Sequence, residues 1–128
     1  MTGPPHHRWL DRVDPGAERI LARARDLVAY GWAQGAEARD EQDEAVRPWS
    51  PEARRWSLLG ALVAAVDLPA HPGAVTLQPL RRALAALAEV IEDPLLAEWN
   101  DQPGQTQEAV VGVLDAAQLV CADSAGED

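Results

Sequence analysis

Hydrophobic residues recur along the chain at the three- and four-residue spacing of amphipathic helices. The first such stretch follows Asp14, an N-cap residue, and Pro15, which suits the first helical position because it needs no N–H there. Gly35 is expected to end this helix, because glycine readily adopts the left-handed backbone conformation found at helix C-termini. The pattern predicts a helix whose apolar stripe consists of Ile20, Leu21, Ala24, Leu27, Val28 and Gly31.

A second helix is predicted from Ser50, which would cap it, with Pro51 at the first position and Glu52 near the positive end of the helix dipole. Residues 56–66 are apolar nearly all round, which indicates the most buried helix of the fold. Gly60 within it suggests a close helix contact, because an exposed glycine would cost about 1 kcal/mol relative to alanine.

A third amphipathic stripe covers residues 80–91, entered at Pro79 and broken at Asp93-Pro94. A short helix follows, with Leu95, Leu96 and Trp99 on its inner face.

Residues 100–104 contain Pro103-Gly104 and predict a type II turn. Thr106 then caps a last helix. Its inward positions are Val110, Val113, Leu114, Ala117 and Cys121.

Residues 36–47 carry five acids and almost no apolar content, so we interpret them as a loop or a solvated turn. No segment shows the alternation of a strand. The predicted fold is therefore all-α, a compact bundle of four main helices plus one short helix. Residues 1–13 are predicted to form a flexible arm, 14–122 a single helical domain and 123–128 a frayed acidic tail.

The net charge of −10 comes from the last third of the 128-residue chain, because residues 83–128 contain ten acids and no basic residue. A DNA duplex repels such a protein, so we expect no nucleic-acid binding. The acidic third leaves one other hypothesis open, an inhibitor that mimics a phosphate backbone.

Candidate chemistry is sparse. Cys121 is the single cysteine, so it forms no intramolecular disulfide, and we expect a reducing, cytoplasmic setting. His6 and His7 are adjacent in the predicted arm and are interpreted as incidental. No phosphate-binding loop, nucleophile elbow or zinc pattern occurs, and we expect no cofactor, no metal and no membrane association.

Five tryptophans stand out in a chain without phenylalanine, and several lie at helix ends beside polar residues. Indole rings either fasten loops to a small core or line a ligand site. If the ends that carry Trp32, Trp56 and Trp99 meet, they form an aromatic wall. The candidate ligand-binding residues are then Trp32, Gln34, Arg55, Trp56 and Trp99.

Asp101, with Asn100 beside it, is the candidate acid or base, because a carboxylate pressed against an indole in a poorly hydrated slot suits proton transfer. The alternative is a turn residue that bonds to nearby backbone.

Short motifs occur in order along most of the chain: Trp32-Ala33-Gln34-Gly35, Ala38-Arg39-Asp40, Arg55-Trp56-Ser57-Leu58-Leu59-Gly60-Ala61-Leu62, Trp99-Asn100-Asp101 and Gly104-Gln105-Thr106-Gln107-Glu108. From residue 15 to about 120 the sequence resembles an actinobacterial and phage family of small helical proteins of unknown function. The resemblance implies a bacterial, cytoplasmic, helical protein and no particular activity. Members of that family often carry cysteine where this chain has Ala33 and Ser57, so no thiol chemistry is carried over.

Three hypotheses follow. The first is a helical binding or accessory protein, monomeric or homodimeric, whose Trp-lined site takes a small organic ligand or a partner protein. The second is a small cofactor-independent enzyme, a cyclase, isomerase or hydrolase of specialised metabolism, that uses Asp101 with Asn100 or Arg55. The third is the acidic inhibitor.

Overall fold

The computed structural model describes residues 15–66 and 74–126, which form five helices and three two-residue strands. In chain order these are α1 (Pro15–Tyr30), β1 (Ala38–Arg39), β2 (Ala45–Val46), β3 (Arg55–Trp56), α2 (Leu58–Val66), α3 (Ala74–Ile91), α4 (Leu96–Asn100) and α5 (Gln107–Gly126). The described chain is mostly helical, as predicted, but it includes a small antiparallel sheet and is therefore not purely all-α.

The sheet has the order β2-β1-β3, and Ala38 in the central strand faces Val46 on one side and Trp56 on the other. The prediction of a loop or solvated turn for residues 36–47 was right only in part, because this segment contains β1 and β2 and an exposed turn between them. The reason is that β1 finds its second partner, β3, far along the chain, and Ala38 is completely buried between them. Strands that are fixed by distant partners and are only two residues long show no local alternation of apolar and polar residues.

The predicted helix start at Ser50 was also wrong. The Ser50 hydroxyl accepts a hydrogen bond from the Glu52 N–H (3.1 Å), and its carbonyl accepts one from the Ala53 N–H (3.1 Å), so this residue builds a local turn. Helix α2 begins at Leu58, and Ser57 caps it by accepting a hydrogen bond from the Gly60 N–H at 3.0 Å.

Helix α3 begins at Ala74, before the predicted entry at Pro79, which lies inside the helix. Its end before Asp93-Pro94 and the short helix α4 are confirmed, although Leu95 precedes α4 and is 54% exposed instead of facing inward.

The type II turn is confirmed, since the Gln105 N–H donates to the Gln102 carbonyl (3.0 Å) and Gly104 has a φ of +86°. Thr106 caps α5 as predicted, by accepting a hydrogen bond from the Ala109 N–H at 3.1 Å.

The core lies where α1 packs against α2, α3 and α5. The predicted stripes supply its fully buried leucines and valines, while α2 contributes Leu58 and Leu62. Gly60 permits a close approach, as expected, but the neighbour is the Glu37 backbone before β1 and not another helix. The largest fully buried side chains of the described chain are Leu21, Leu58, Leu62, Leu87, Leu114, Val28, Val110 and Asn100.

The predicted arm with His6 and His7, and the connection between α2 and α3 at residues 67–73, lie outside the described residues. Within the described residues, no helix is long and apolar enough to cross a bilayer.

Candidate functional site

Asn100, at the end of α4, joins three separate parts of the chain. Its Oδ1 accepts hydrogen bonds from Trp32 Nε1 (2.9 Å) and from the Leu58 N–H (3.0 Å). Its Nδ2 donates to the Ala33 carbonyl (3.0 Å) and to the Asp101 carboxylate (2.9 Å). An asparagine side chain has two lone pairs and two protons, so this completely buried residue has no capacity left for a ligand.

Gln34 and Asp101 complete this cluster. The Gln34 amide donates to the carbonyls of Asn100 and Gln102, both at 3.1 Å. The Asp101 carboxylate accepts a hydrogen bond from the Gly35 N–H at 3.0 Å. Asp101 is itself exposed, so the poorly hydrated slot expected for an acid or base is not what surrounds it.

The structure thus brings Trp32, Gln34, Asn100 and Asp101 together, whereas the side chains of the other candidates make different contacts. The Arg55 guanidinium pairs with the Asp43 carboxylate in the turn between β1 and β2. The half-buried side chain of Trp99 packs against the core.

The Trp56 backbone pairs with the segment that carries Trp32, because the Ala33 N–H donates to the Trp56 carbonyl at 3.1 Å. The Trp56 indole, in contrast, lies in the wall of an open groove of about 700 Å³. Its indole Nε1 donates to the Pro48 carbonyl at 2.9 Å, and only 8% of the residue is exposed. Neither Trp32 nor Trp99 lines this groove. We call it the Trp49 groove, and its lining residues are Arg23, Asp26, Leu27, Pro48, Trp49, Ser50, Trp56, Val63 and Ala64.

Two tryptophans line the Trp49 groove, and a tyrosine contacts one of them. Trp49 is 60% exposed, and the Arg47 guanidinium carbon lies 5.6 Å from its ring centroid, a cation–π distance. Tyr30 meets Trp56 edge-on, with 6.3 Å between ring centroids and an interplanar angle of 60°. An indole as exposed as Trp49 leaves apolar surface in water, and this surface is available for contact with a ligand.

Two charged residues of α1 line the same groove. Asp26 has a basic neighbour, because Arg25 Nη1 lies 3.6 Å from its carboxylate. Arg23 makes no hydrogen bond or ion pair with any described residue. The groove therefore combines an aromatic wall with one cation that the described protein leaves without a partner.

A family model for a family of unknown function, DUF6197, matches residues 12–118. The chain belongs to this family. No curated protein and no solved structure matches the chain. The description of the DUF6197 family supplies no activity.

Sequence reasoning missed Trp49 and Arg23 as site residues. Trp49 reads as one of several tryptophans at element ends, and nothing local indicates which of them stays exposed. One signal was available on α1, because Arg23, Asp26 and Leu27 have the spacing of one helix face.

A second concavity of this DUF6197 member, about 550 Å³, lies between α2, α3 and α4. Among the described residues that line it, Glu98 is the only charged one, and the others are aliphatic: Leu59, Leu84, Ala85, Ala88, Pro94, Leu95, Leu96 and Ala97. In the part of the chain that the structure describes, no cluster of histidine, cysteine and carboxylate groups could hold a metal ion.

Proposed function

We propose that this chain is a small binding protein that holds a small organic molecule in the Trp49 groove. The observation that carries the proposal is the groove itself, about 700 Å³ with tryptophan side chains in its wall. Ligand sites span roughly 300 to 1,000 Å³ and are mostly apolar with a few polar groups that fix orientation. Leu27, Val63 and Ala64 supply the aliphatic surface, while Arg23 and Asp26 supply the polar groups.

The groove favours a flat ligand. The Trp56 N–H is already bonded to the Pro48 carbonyl, so this indole offers ring surface and no free donor. Trp49 is largely exposed and belongs to a loop, whereas Trp56 is held in β3. A planar ring that covers the exposed Trp49 face removes apolar area from water, at about 25 cal/mol per Å².

The hydrogen-bonded residues Trp32, Gln34, Asn100 and Asp101, here called the Asn100 cluster, position one wall of this site. Asn100 holds the first N–H of α2, at Leu58, and the following turns of α2 carry Val63 and Ala64 into the groove wall. We assign Trp32, Gln34 and Asn100 to positioning the scaffold, and Trp56 to ligand contact. Binding is preferred to turnover because the Asn100 amide, half of the proposed catalytic pair, has every hydrogen-bonding position engaged by the protein.

A bacterial, cytoplasmic setting belongs to the same proposal. It rests on the sequence resemblance and on the single cysteine, Cys121.

The test uses three probes that share one ring system and differ in charge: naphthoate, naphthamide and naphthylmethylamine. Each is titrated into nitrogen-15-labelled protein while the indole N–H resonances are followed. We expect at least one probe to shift the Trp49 and Trp56 signals to saturation. Trp49→Ala should lower the affinity for that probe by about tenfold or more, since loss of an aromatic stacking partner costs about 1–3 kcal/mol of binding free energy.

Leu119→Ala is the matched control, because Leu119 is also exposed (67%) and apolar but does not line the groove. This variant should bind the probe like the natural protein. Equal affinity in Trp49→Ala and the natural protein, or no binding of any probe, contradicts the proposal.

A further inference from the structure

We infer that the ligand of the Trp49 groove is a planar organic anion, an aromatic ring that carries a carboxylate or a comparable oxyanion paired with Arg23. This inference rests on the proposed function and adds the chemical class of the ligand. Arg23 in the groove wall and the exposed Trp49 indole beside it carry the inference.

The arginines near the groove differ in what they contact. Arg25 donates to the Asp115 carboxylate (3.2 Å), which ties α1 to α5. Arg54 donates to the carbonyls of Pro51 and Ala53, both at 2.9 Å. Arg23 lines the groove and has no such partner among the described residues. Its guanidinium therefore keeps all its donors for a ligand or for water.

Asp26 also lines the groove, and its carboxylate lies 3.6 Å from Arg25 Nη1, a cation that it shares with Asp115. Another positive group, Arg47, lies over the Trp49 ring. Arg23, Arg25 and Arg47 together face the carboxylates of Asp26 and Asp115, so this region has a small positive excess although the whole chain carries a formal charge of −10.

The residue type also favours an oxyanion. A guanidinium presents paired N–H donors in a plane that matches the two oxygens of a carboxylate, and these charge-assisted hydrogen bonds are stronger than neutral ones. The same ligand lays its ring on Trp49, so the two contacts fix both ends of one molecule. A cationic ligand would instead have to displace Arg25 from Asp26 and approach Arg23 and Arg47.

The three naphthalene probes test the inference directly. We expect naphthoate to bind about tenfold more tightly than naphthamide, and naphthylmethylamine to bind most weakly. Arg23→Gln should lower the affinity for naphthoate about five- to tenfold, because only the anion pairs with the guanidinium. The affinity for naphthamide should stay within about twofold of that of the natural protein. Added salt should reduce the preference for naphthoate, since the screening length falls from about 10 Å at 0.1 M to about 3 Å at 1 M.

Arg19→Gln is the matched control, because Arg19 is exposed on the preceding turn of α1 and does not line the groove. It should leave the affinities for all probes unchanged. Equal binding of naphthoate and naphthamide that depends on Trp49 but not on Arg23 overturns the inference and leaves the proposed function standing. Tightest binding of naphthylmethylamine also overturns it and assigns specificity to Asp26. Failure of every probe to bind overturns both.

Discussion

Asn100 shows how much one buried polar side chain can organise. It is completely buried, yet its amide finds four partners, which come from the segment after α1, from the start of α2 and from Asp101. A buried amide without partners would be strongly destabilising, so the cluster is stable only when all members are present. The residue therefore specifies how these segments meet.

Asn100→Asp should lower the free energy of unfolding by about 3–5 kcal/mol, because it buries a charge and removes the donor to the Ala33 carbonyl. The introduced carboxylate also faces Asp101. Urea denaturation measures the loss, which should shrink as the pH falls, since burial favours the neutral form of the introduced carboxyl.

Asp101→Asn makes the same exchange in reverse at the neighbouring, exposed position. It should cost about 1 kcal/mol or less, because an amide oxygen still accepts the hydrogen bond from the Gly35 N–H. Equal losses in the two variants would contradict the role given to Asn100.

The sequence allowed part of this site to be predicted. The aromatic wall depended on the ends that carry Trp32, Trp56 and Trp99 meeting; Trp32 does meet Asn100, but neither Trp32 nor Trp99 lines the groove that contains Trp56. The exposure of Trp49 could not be predicted, since it depends on where the turn at Ser50 directs the chain. That Arg23 has no partner among the described residues depends on side chains from other segments, so its sequence neighbours do not indicate it.

At the scale of elements, three local signals correctly predicted a helix end, a turn and a helix start. Pro94 after α3, Pro103-Gly104 in the turn and Thr106 before α5 each act on the adjacent residues, and each was predicted. The three strands were not predicted, because two residues each are too few for a periodic pattern and their pairing is set by distant partners. Ser50-Pro51 satisfies local rules for a helix start, but the following Arg55-Trp56 pairs with β1 instead.

Ser57→Ala should therefore lower the free energy of unfolding by about 1 kcal/mol, through loss of the cap on the Gly60 N–H. Ser50→Ala is the matched control and should cost less than about 0.5 kcal/mol, because it caps no helix. Thermal or urea unfolding of both proteins decides the point, and a larger loss at Ser50 would show that the helix start is misassigned.

Gly60 and Gly112 form a second matched pair within helices. A Cβ at Gly60 would overlap the Glu37 carbonyl, whereas a Cβ at Gly112 meets nothing within 4 Å. Gly60→Ala should destabilise the protein by about 2 kcal/mol or more. Gly112→Ala should stabilise it by about 0.5–1 kcal/mol, because alanine loses less backbone entropy in an exposed helix. Opposite signs in the same unfolding assay are expected, and stabilisation by Gly60→Ala would contradict the close contact with the segment before β1.

At the scale of the whole molecule, the Trp49 groove exists because three distant segments converge on it. Helix α1 supplies Arg23 and Asp26, the turn after β2 supplies Trp49, and α2 supplies Val63. The sheet places the turn, and Asn100 fixes the start of α2. A weakened Asn100 cluster is accordingly expected to impair binding as well as stability.

The central claim is that a planar organic ligand occupies the Trp49 groove. Intermolecular nuclear Overhauser effects between naphthoate ring protons and the methyl groups of the protein locate the ligand most directly. Contacts to the Val63 methyls are the predicted result, since Val63 lines this groove. Contacts to the methyls of Leu59 and Leu84, which line the concavity between α2, α3 and α4, would contradict the account.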